Sequence, residues 1–137
     1  MAQAMDEIRL PISNEVDIVA ARQQGRSLGA QLGFSSSELT LIATAISEIA
    51  RNIVIYAKEG VITFSIIGSQ PRLGVQIIAE DQGPGISDLS LAMEDGYSTN
   101  KSLGLGLPGS RRLMDEFEIE SAPGKGTTIR MVKWKKR

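Results

Sequence analysis

The stretch SSSELTLIATAISEIARNIVIYAKEG, residues 35–60, constrains the fold most, because it carries the strongest helix signals in the chain. Ser35 and Glu38 have the spacing of a capping box, in which each side chain accepts a hydrogen bond from the other residue's backbone N–H. The apolar residues then recur at helical spacing along one stripe: Leu39, Ile42, Ala43, Ile46, Ala50, Ile53 and Ala57. A helix with one apolar stripe must bury it against another layer, so this segment predicts a helix packed on further structure, ending near Lys58.

Strand signals lie on both sides of this helix. β-branched or alternating runs at 7–12, 61–67, 74–80, 117–122 and 127–134 predict strands, and turn-rich segments between them predict hairpins. Two more helices are predicted, from Asn14 to Gly33 and from about Leu105 to Asp115, with a weak helix and a mobile loop in 86–102. The order β-α-α-β-β-α-β-β favours an α+β two-layer sandwich, with helices on one face of a mainly antiparallel, mixed sheet.

Length and charge limit the domain count and the partners. The 137 residues fit one domain spanning 1–137, and the net charge of −1 gives no reason to expect nucleic acid or an anionic membrane. No apolar run is expected to cross a bilayer and the N-terminus lacks a secretion signal, so we expect a cytoplasmic protein. The basic tail 133–137, KWKKR, is interpreted as a solvated strand end in preference to a docking patch.

Two missing residue types exclude whole classes of chemistry. The chain has no Cys and no His. Disulfides, thiolate metal sites, His-based catalytic triads and phosphohistidine on this chain are therefore excluded, and the lack of Cys fits a reducing compartment.

A polar pair lies on the predicted second helix. Glu48 and Asn52 are four residues apart and share a face, with Thr44 one turn earlier. A carboxylate can act as a base and an amide oxygen can bind Mg²⁺, so the pair is a candidate site. The alternative is a solvent-exposed helix face on which Arg51 pairs with Glu48.

The strand 74–80 ends in IIAEDQGPGI, a D-x-G-x-G pattern. Asp81 stands at the strand end, and Gly83 and Gly85 remove side chains that would keep a flat ligand away from the backbone. A carboxylate in that position can accept hydrogen bonds from an exocyclic amine such as that of adenine. The alternative is a tight turn with Asp81 as a turn-forming residue.

Two further glycine-rich segments come before the last helix and the last strand. SLGLGLPG at 102–109 would open a helix with backbone N–H groups directed at a phosphate. Its literal G-x-G-x-x-G match fails as a dinucleotide fingerprint, because no strand precedes it and no acid follows about twenty residues later. PGKGTTI at 123–129 is explained on its own by hairpin turn chemistry.

The order of these motifs resembles the GHKL superfamily of ATP-binding domains. The resemblance runs from about Ser36 to Thr128 and comprises E-x-x-x-N on a helix, D-x-G-x-G after a strand, a polar lid, G-x-G before a helix and G-x-G-T before a strand. Within the superfamily, AISEIARNIVIYA, IIAEDQGPGI, MEDGYST and GLGLPGSRRLMDEF are similar to the bacterial serine/threonine kinases of the anti-sigma and switch-kinase branch.

That resemblance implies ATP and Mg²⁺ as cofactors and assigns four side chains. Asn52 would be the Mg²⁺ ligand, and Glu48 would be the base that orients or deprotonates the attacking hydroxyl. Asp81 would receive the adenine amino group, together with a water that Thr127 also holds.

The resemblance also assigns the glycines. Gly83 and Gly85 would let the base approach closely. Gly104 and Gly106 would hinge the lid, residues 88–103, and present N–H groups to the phosphates.

Finally, the resemblance implies cationic helpers and protein partners. Arg51 and Lys101 would lie near the phosphates. The substrates would be STAS-domain proteins of a stressosome-like module, RsbS-like and RsbR-like, and the released kinase would activate an effector such as a PP2C-type phosphatase. The alternative function is an anti-sigma-type or scaffold-binding module that uses nucleotide only as a conformational ligand.

Overall fold

A computed structural model of the protein describes residues 7–84 and 107–135, without the side chains of 107–109. The elements run in the order β1 (Ile8–Ile12), α1 (Glu15–Leu32), α2 (Ser36–Asn52), a π-helical segment (Ile53–Ala57), β2 (Gly60–Ser69), β3 (Arg72–Asp81), α3 (Leu107–Leu113), β4 (Glu116–Ser121) and β5 (Thr127–Trp134). The predicted weak helix and loop in 86–102 fall outside the described residues.

The strands form one five-stranded sheet in the order β1-β2-β3-β5-β4. Every neighbouring pair is antiparallel, so the predicted α+β sandwich is confirmed and the described strands include no parallel pair. Pro11 lies in the edge strand β1, where its missing N–H removes no bond from a central ladder. The hairpin of β2 and β3 is longer than predicted, because Ser69 pairs with Arg72 and only two residues form the turn.

Helix α2 forms as its start signals predict. Both hydrogen bonds of the capping box are present, and the serine hydroxyl accepts from the Glu38 N–H. The buried face is wider than the predicted stripe, since Ala45 and Ile49 are also buried. The helix reaches the expected end near Lys58, but its last turn is π-helical and Lys58 has a φ of 77°.

Helix α1 packs closely on α2. Its N-terminus is capped by Asn14, whose side chain accepts a hydrogen bond from Asp17 N, and it stops at Gly33, which has a left-handed φ of 86°. A Cβ placed on Gly29 would lie 2.6 Å from Leu39 Cδ2. The glycine therefore lets the two helices approach closely.

The core lies between the helices and one face of the sheet. It joins α1 and α2 to the inward residues of the strands, and its largest fully buried side chains include Phe64, Ile46, Ile49, Ile77 and Met131. Fully burying such a side chain stabilises the fold by about 1.5–3 kcal/mol. This packing fixes where the C-terminal end of α2 lies on the sheet.

The first two residues of the basic tail are structural rather than solvated, which corrects the prediction. Lys133 is only 8% exposed, and its ammonium donates a 3.1 Å hydrogen bond to Leu113 O at the end of α3. Trp134 lies on the other face of the sheet, with the Arg72 guanidinium 4.2 Å from its ring centroid. A lysine at a helix C-terminus satisfies a carbonyl that has no partner within the helix.

An acid on that same face holds the tryptophan. The indole N–H of Trp134 donates to Glu116 Oε2 at 2.7 Å, and Arg130 donates to Glu116 Oε1 at 3.1 Å. These two hydrogen bonds lower the pKa of Glu116 because they favour the charged carboxylate, and the bond from Trp134 has the larger effect.

One further expectation needs correction. Ser36–Ala57 is long and apolar enough to cross a membrane by length and composition, although no apolar run was expected to be. Buried core helices of soluble proteins have the same length and apolar composition. Here the apolar stripe of α2 is covered by the sheet and by α1.

Candidate nucleotide site at the end of the sheet

One residue from each strand lies in a row across one end of the sheet. Strand register gives the order Ile12, Gly60, Asp81, Thr127, Ser121, which we call the end row. Ala79 and Ile129, two residues before Asp81 and two after Thr127, are buried in the core. Because side chains alternate along a strand, Asp81 and Thr127 also face the helical layer. The two residues that the resemblance assigns to the adenine are direct cross-strand neighbours.

Asp81 forms a local turn and also faces the site. Its Oδ1 accepts a 2.9 Å hydrogen bond from the backbone N–H of Gly83. The alternative interpretation of Asp81 as a turn-forming residue is thus right for that oxygen. An ionised carboxylate has about four acceptor positions on two oxygens, so a turn bond and a ligand bond are compatible.

Two glycines let the C-terminal end of the long helix rest on the end row. A Cβ on Gly83 would lie 2.6 Å from Ala57 Cβ, and a Cβ on Gly60 would lie 3.0 Å from Ile53 Cγ2. The first distance is shorter than real Cβ contacts, and the second is so tight that the Ile53 side chain would have to shift. Gly83 was predicted to admit a purine base; contact with Ala57 is a second, internal reason for glycine at that position.

The candidate pair on α2 lies near this contact. Asn52 directly precedes Ile53, whose side chain approaches the end row at Gly60, and both Glu48 and Asn52 are half-buried. Arg51 Nη1 lies 3.5 Å from Glu48 Oε2, so the ion pair of the alternative interpretation exists. With side chains 42% and 38% exposed, the pair contributes little to stability and can be broken by a competing anion.

Thr44 is separate from this pair. It is exposed, and its hydroxyl donates to Thr40 O within the helix at 2.9 Å. The polar line predicted on α2 therefore contains two candidate side chains rather than three.

The turn between β4 and β5 is fastened to the segment after Asp81. Gly124 N–H donates to Pro84 O at 2.7 Å, and Gly126, at a φ of 77°, comes so close that a Cβ would collide with Asp81 O. Ser121 Oγ donates to Gly126 O at 2.9 Å. PGKGTTI therefore has a role beyond hairpin closure, because it holds the strand end that carries Asp81.

The remaining predicted site residues lie outside the described part of the chain. These are Gly85, Lys101, Gly104 and Gly106, together with the lid at 88–103.

A groove of about 500 Å³ also opens at this end of the sheet. It lies mainly on the face away from the helices, since Arg9, Val61, Glu80 and Thr128 line it and alternate with core-facing residues. Asp81 contributes to the rim. This groove is therefore distinct from the predicted nucleotide position between helix and sheet.

Magnesium fits the donor set at the end of α2. Mg²⁺ prefers oxygen ligands and usually takes one or two from the protein, with waters and phosphates supplying the rest. Asn52 offers such an oxygen, and residues 7–84 and 107–135 contain no cluster of three acidic, His or Cys residues that would form an all-protein site.

Three residues of the site were missed by sequence reasoning: Gly60, Ser121 and Gly126. Gly60 received no role from the sequence, and Gly126 appeared only in the turn and in the G-x-G-T motif, without a role of its own. Their positions depend on strand register, which pairs Gly60 with Asp81 and Ser121 with Thr127. Assigning the strand register from the hairpin turns would have revealed these pairs from the sequence.

Comparison with known proteins identifies the family. The family model for the histidine kinase-like ATPase domain matches residues 11–133. Serine/threonine-protein kinase RsbT of Bacillus subtilis (strain 168) is 51% identical over 129 residues, covering 94% of this chain and 97% of the relative.

Anti-sigma F factors are more distant relatives. The protein of Thermoanaerobacter sp. (strain X514) is 36% identical over 83% of this chain and 82% of its own length. The protein of Bacillus velezensis (strain DSM 23117 / BGSC 10A6 / LMG 26770 / FZB42) is 34% identical over 82% of this chain and 81% of its own length. The chain therefore belongs to the histidine kinase-like ATPase family, as the motif order predicted, in the branch of serine/threonine protein kinases and anti-sigma factors.

Proposed function

We propose that this protein transfers the γ-phosphoryl group of ATP to a Ser or Thr side chain of a protein partner. The observation that carries the proposal is the placement of Asp81 beside Thr127, at the sheet end on which the π-helical segment after α2 rests. An acid for the nucleobase and a carboxylate–amide pair for phosphate chemistry thus lie on adjoining elements. The similarity to serine/threonine-protein kinase RsbT supports the same reaction class.

Each side chain has a physical task in this reaction. Asp81 accepts hydrogen bonds from the adenine amino group, and Thr127 adds a hydroxyl next to it. Asn52 would hold Mg²⁺, which when bound neutralises charge on the phosphates. Glu48 orients the attacking hydroxyl and accepts its proton.

Arg51 has a second task in the proposal. It leaves its weak contact with Glu48 for the phosphates when nucleotide binds, which exposes the base for the incoming hydroxyl. Lys101, Gly104, Gly106 and Gly85 would complete the phosphate and purine contacts, as the family resemblance implies.

The proposed substrates are STAS-domain proteins, and the proposed effector is a PP2C-type phosphatase. A phosphoryl group adds up to about two negative charges, enough to disrupt a protein interface through repulsion and desolvation. Phosphorylation of a STAS partner would release the kinase to bind its effector. This partner switch is an inference from the branch of the family.

The test is phosphoryl transfer from labelled ATP, with Mg²⁺, to purified STAS-domain proteins. We expect transfer to a Ser or Thr by the wild type, and loss of ATP binding by Asp81→Asn without loss of the fold. Label that never appears on any candidate protein, or an Asp81→Asn variant that titrates ATP like the wild type in calorimetry, would contradict the proposal.

A binding module that uses nucleotide only as a conformational ligand is the second candidate, favoured by the anti-sigma relatives. Glu48→Ala separates the two. A kinase should retain ATP affinity and lose at least about 10²-fold in transfer rate, the usual contribution of a positioned base. A binding module would show no dependence of partner release on Glu48.

A further inference from the structure

The hydroxyl of Thr127 has a fixed donor direction. Ser121 Oγ lies 2.9 Å from Gly126 O and 2.9 Å from Thr127 Oγ1. A carbonyl oxygen can only accept, so the single hydrogen of Ser121 is used on Gly126 O. In the second contact Thr127 must then be the donor, and its hydrogen points toward β4.

This direction determines what Thr127 can offer on its other side. With its hydrogen directed at Ser121, Thr127 Oγ1 can only accept hydrogen bonds toward Asp81, its neighbour on β3. An ionised aspartate also only accepts. The middle of the end row therefore presents two adjacent acceptors to any ligand between sheet and helices.

We propose that Ser121 is a specificity-determining positioning residue, which selects 6-amino purines over 6-keto purines by holding Thr127 as an acceptor. The inference rests on the proposed function, because it assumes that the purine binds at Asp81. Adenine presents an N–H donor at position 6, which suits two acceptors. Hypoxanthine and guanine present a keto oxygen there, which would face acceptors directly or through a water.

Loss of Ser121 removes the constraint. Without the serine oxygen, the Thr127 hydroxyl can rotate and donate toward the ligand, so a keto oxygen becomes tolerable. Binding of ATP changes little, because the rotated hydroxyl can still accept. The variant also loses the hydrogen bond to Gly126 O and with it some stability, so the diagnostic quantity is the ratio of the two affinities, in which a general loss of stability cancels.

The experiment compares dissociation constants of ATP and inosine triphosphate by calorimetry. Inosine triphosphate is the matched probe, because it differs from ATP only in the 6-keto group and the N1 hydrogen. In Ser121→Ala we expect the preference for ATP to fall about fivefold to tenfold, the usual effect of one hydrogen bond. Ser121→Thr, which retains the hydroxyl in a strand, should behave like the wild type.

The same substitution in the Thr127→Val variant provides a second test, which does not rely on Ser121→Ala alone being correctly folded. Thr127→Val deletes the hydroxyl on which Ser121 acts, so adding Ser121→Ala to it should leave the ATP preference unchanged. An unaltered preference in Ser121→Ala alone, or an equal change in the Thr127→Val background, would overturn the inference. If the wild type binds neither nucleotide, the proposed function fails first and this inference with it.

Discussion

Arg51 is proposed to bind the phosphates, and the structure shows it in contact with the proposed base. It lies between Glu48 and Asn52 on α2 and holds a 3.5 Å contact with the proposed base. Exposed i,i+3 pairs of this kind contribute about 0.5 kcal/mol or less. A triphosphate with several negative charges is a stronger partner for the guanidinium than one carboxylate. The pair is therefore suited to break when nucleotide binds.

Arg51→Ala should accordingly separate binding from stability. We expect ATP affinity to fall about tenfold through the lost charge-assisted hydrogen bond, while the free energy of unfolding changes by less than about 0.5 kcal/mol. Arg22→Ala is the matched control, because Arg22 contacts Ser47 at 3.4 Å on the same helical layer and carries the same charge. Calorimetric titration and urea unfolding measure the two quantities. Equal ATP affinities in the two variants would remove Arg51 from the site.

Single residues differ in how far their roles could be predicted. The family resemblance assigned both Asp81 and Thr127 to the adenine, and the strand register makes them neighbours. Ser121 was not predicted, since its role depends on the direction of one hydroxyl hydrogen. That direction follows from a carbonyl five residues away in sequence, which only the folded turn brings within reach.

At the scale of elements, the turn between β4 and β5 offers a matched pair of glycines. Gly124 and Gly126 both have a φ of 77°, but a Cβ on Gly124 would meet nothing within 4 Å, whereas one on Gly126 would collide with Asp81 O. The pair therefore separates backbone strain, which both positions share, from contact with the strand end that carries Asp81.

Alanine at the two positions should differ in effect. Gly124→Ala should destabilise by about 1 kcal/mol, the cost of a left-handed L-residue. Gly126→Ala should destabilise by about 1–3 kcal/mol more, because backbone atoms must move, and it should also weaken ATP binding. Urea unfolding and ATP titration of both variants measure this. Equal stabilities would show that the close approach of Gly126 to Asp81 O does not hold the strand end in place.

The β4–β5 pair also carries a pH-dependent contact. Hydrogen bonds from Trp134 and Arg130 lower the pKa of Glu116, so its charged form is favoured in the folded state. Its contribution to stability is complete above the ordinary glutamate pKa of about 4.3 and is lost as the pH falls through the lower folded value.

Glu116→Gln should therefore destabilise at pH 7, and the difference from wild type should shrink as the pH falls below about 4.3. Fluorescence of Trp134, the single tryptophan of the chain, reports unfolding in urea at each pH. Glu118→Gln is the control, since Glu118 is 70% exposed and lies 3.6 Å from Arg130. A difference for Glu116→Gln that does not change with pH would contradict the assignment.

Elements were predicted where the signal was local. The capping box and apolar stripe fixed α2, because both act within a few residues of the chain. The π-helical turn at Ile53–Ala57 was not predicted, since its contacts with Gly60 and Gly83 come from β2 and the end of β3. Lys133 was misinterpreted for the same reason. A basic run in a sequence indicates solvent-exposed side chains, but the fold brings Lys133 to the carbonyl of Leu113 at the end of α3.

At the scale of the whole molecule, nucleotide and metal should act together on stability. Asn52 belongs to α2 and Asp81 to β3, so a ligand that contacts both joins the helical layer to the sheet. Binding to the folded state alone stabilises it by about 2.7 kcal/mol at a ligand concentration of one hundred times Kd. For a domain of 137 residues this corresponds to a Tm increase of roughly 10 °C.

Mg-ADP should therefore raise Tm by that amount in the wild type, and a chelator should remove most of the increase. Asn52→Ala should lose the part that depends on magnesium and keep a smaller shift with ADP alone, because the purine contacts remain. Asp81→Asn should lose both parts, since the base no longer has its acceptor. Thermal unfolding of the three proteins with ADP, with and without Mg²⁺, measures each part separately. A full shift that survives chelation in the wild type would exclude Asn52 as a magnesium ligand and leave the purine site in place.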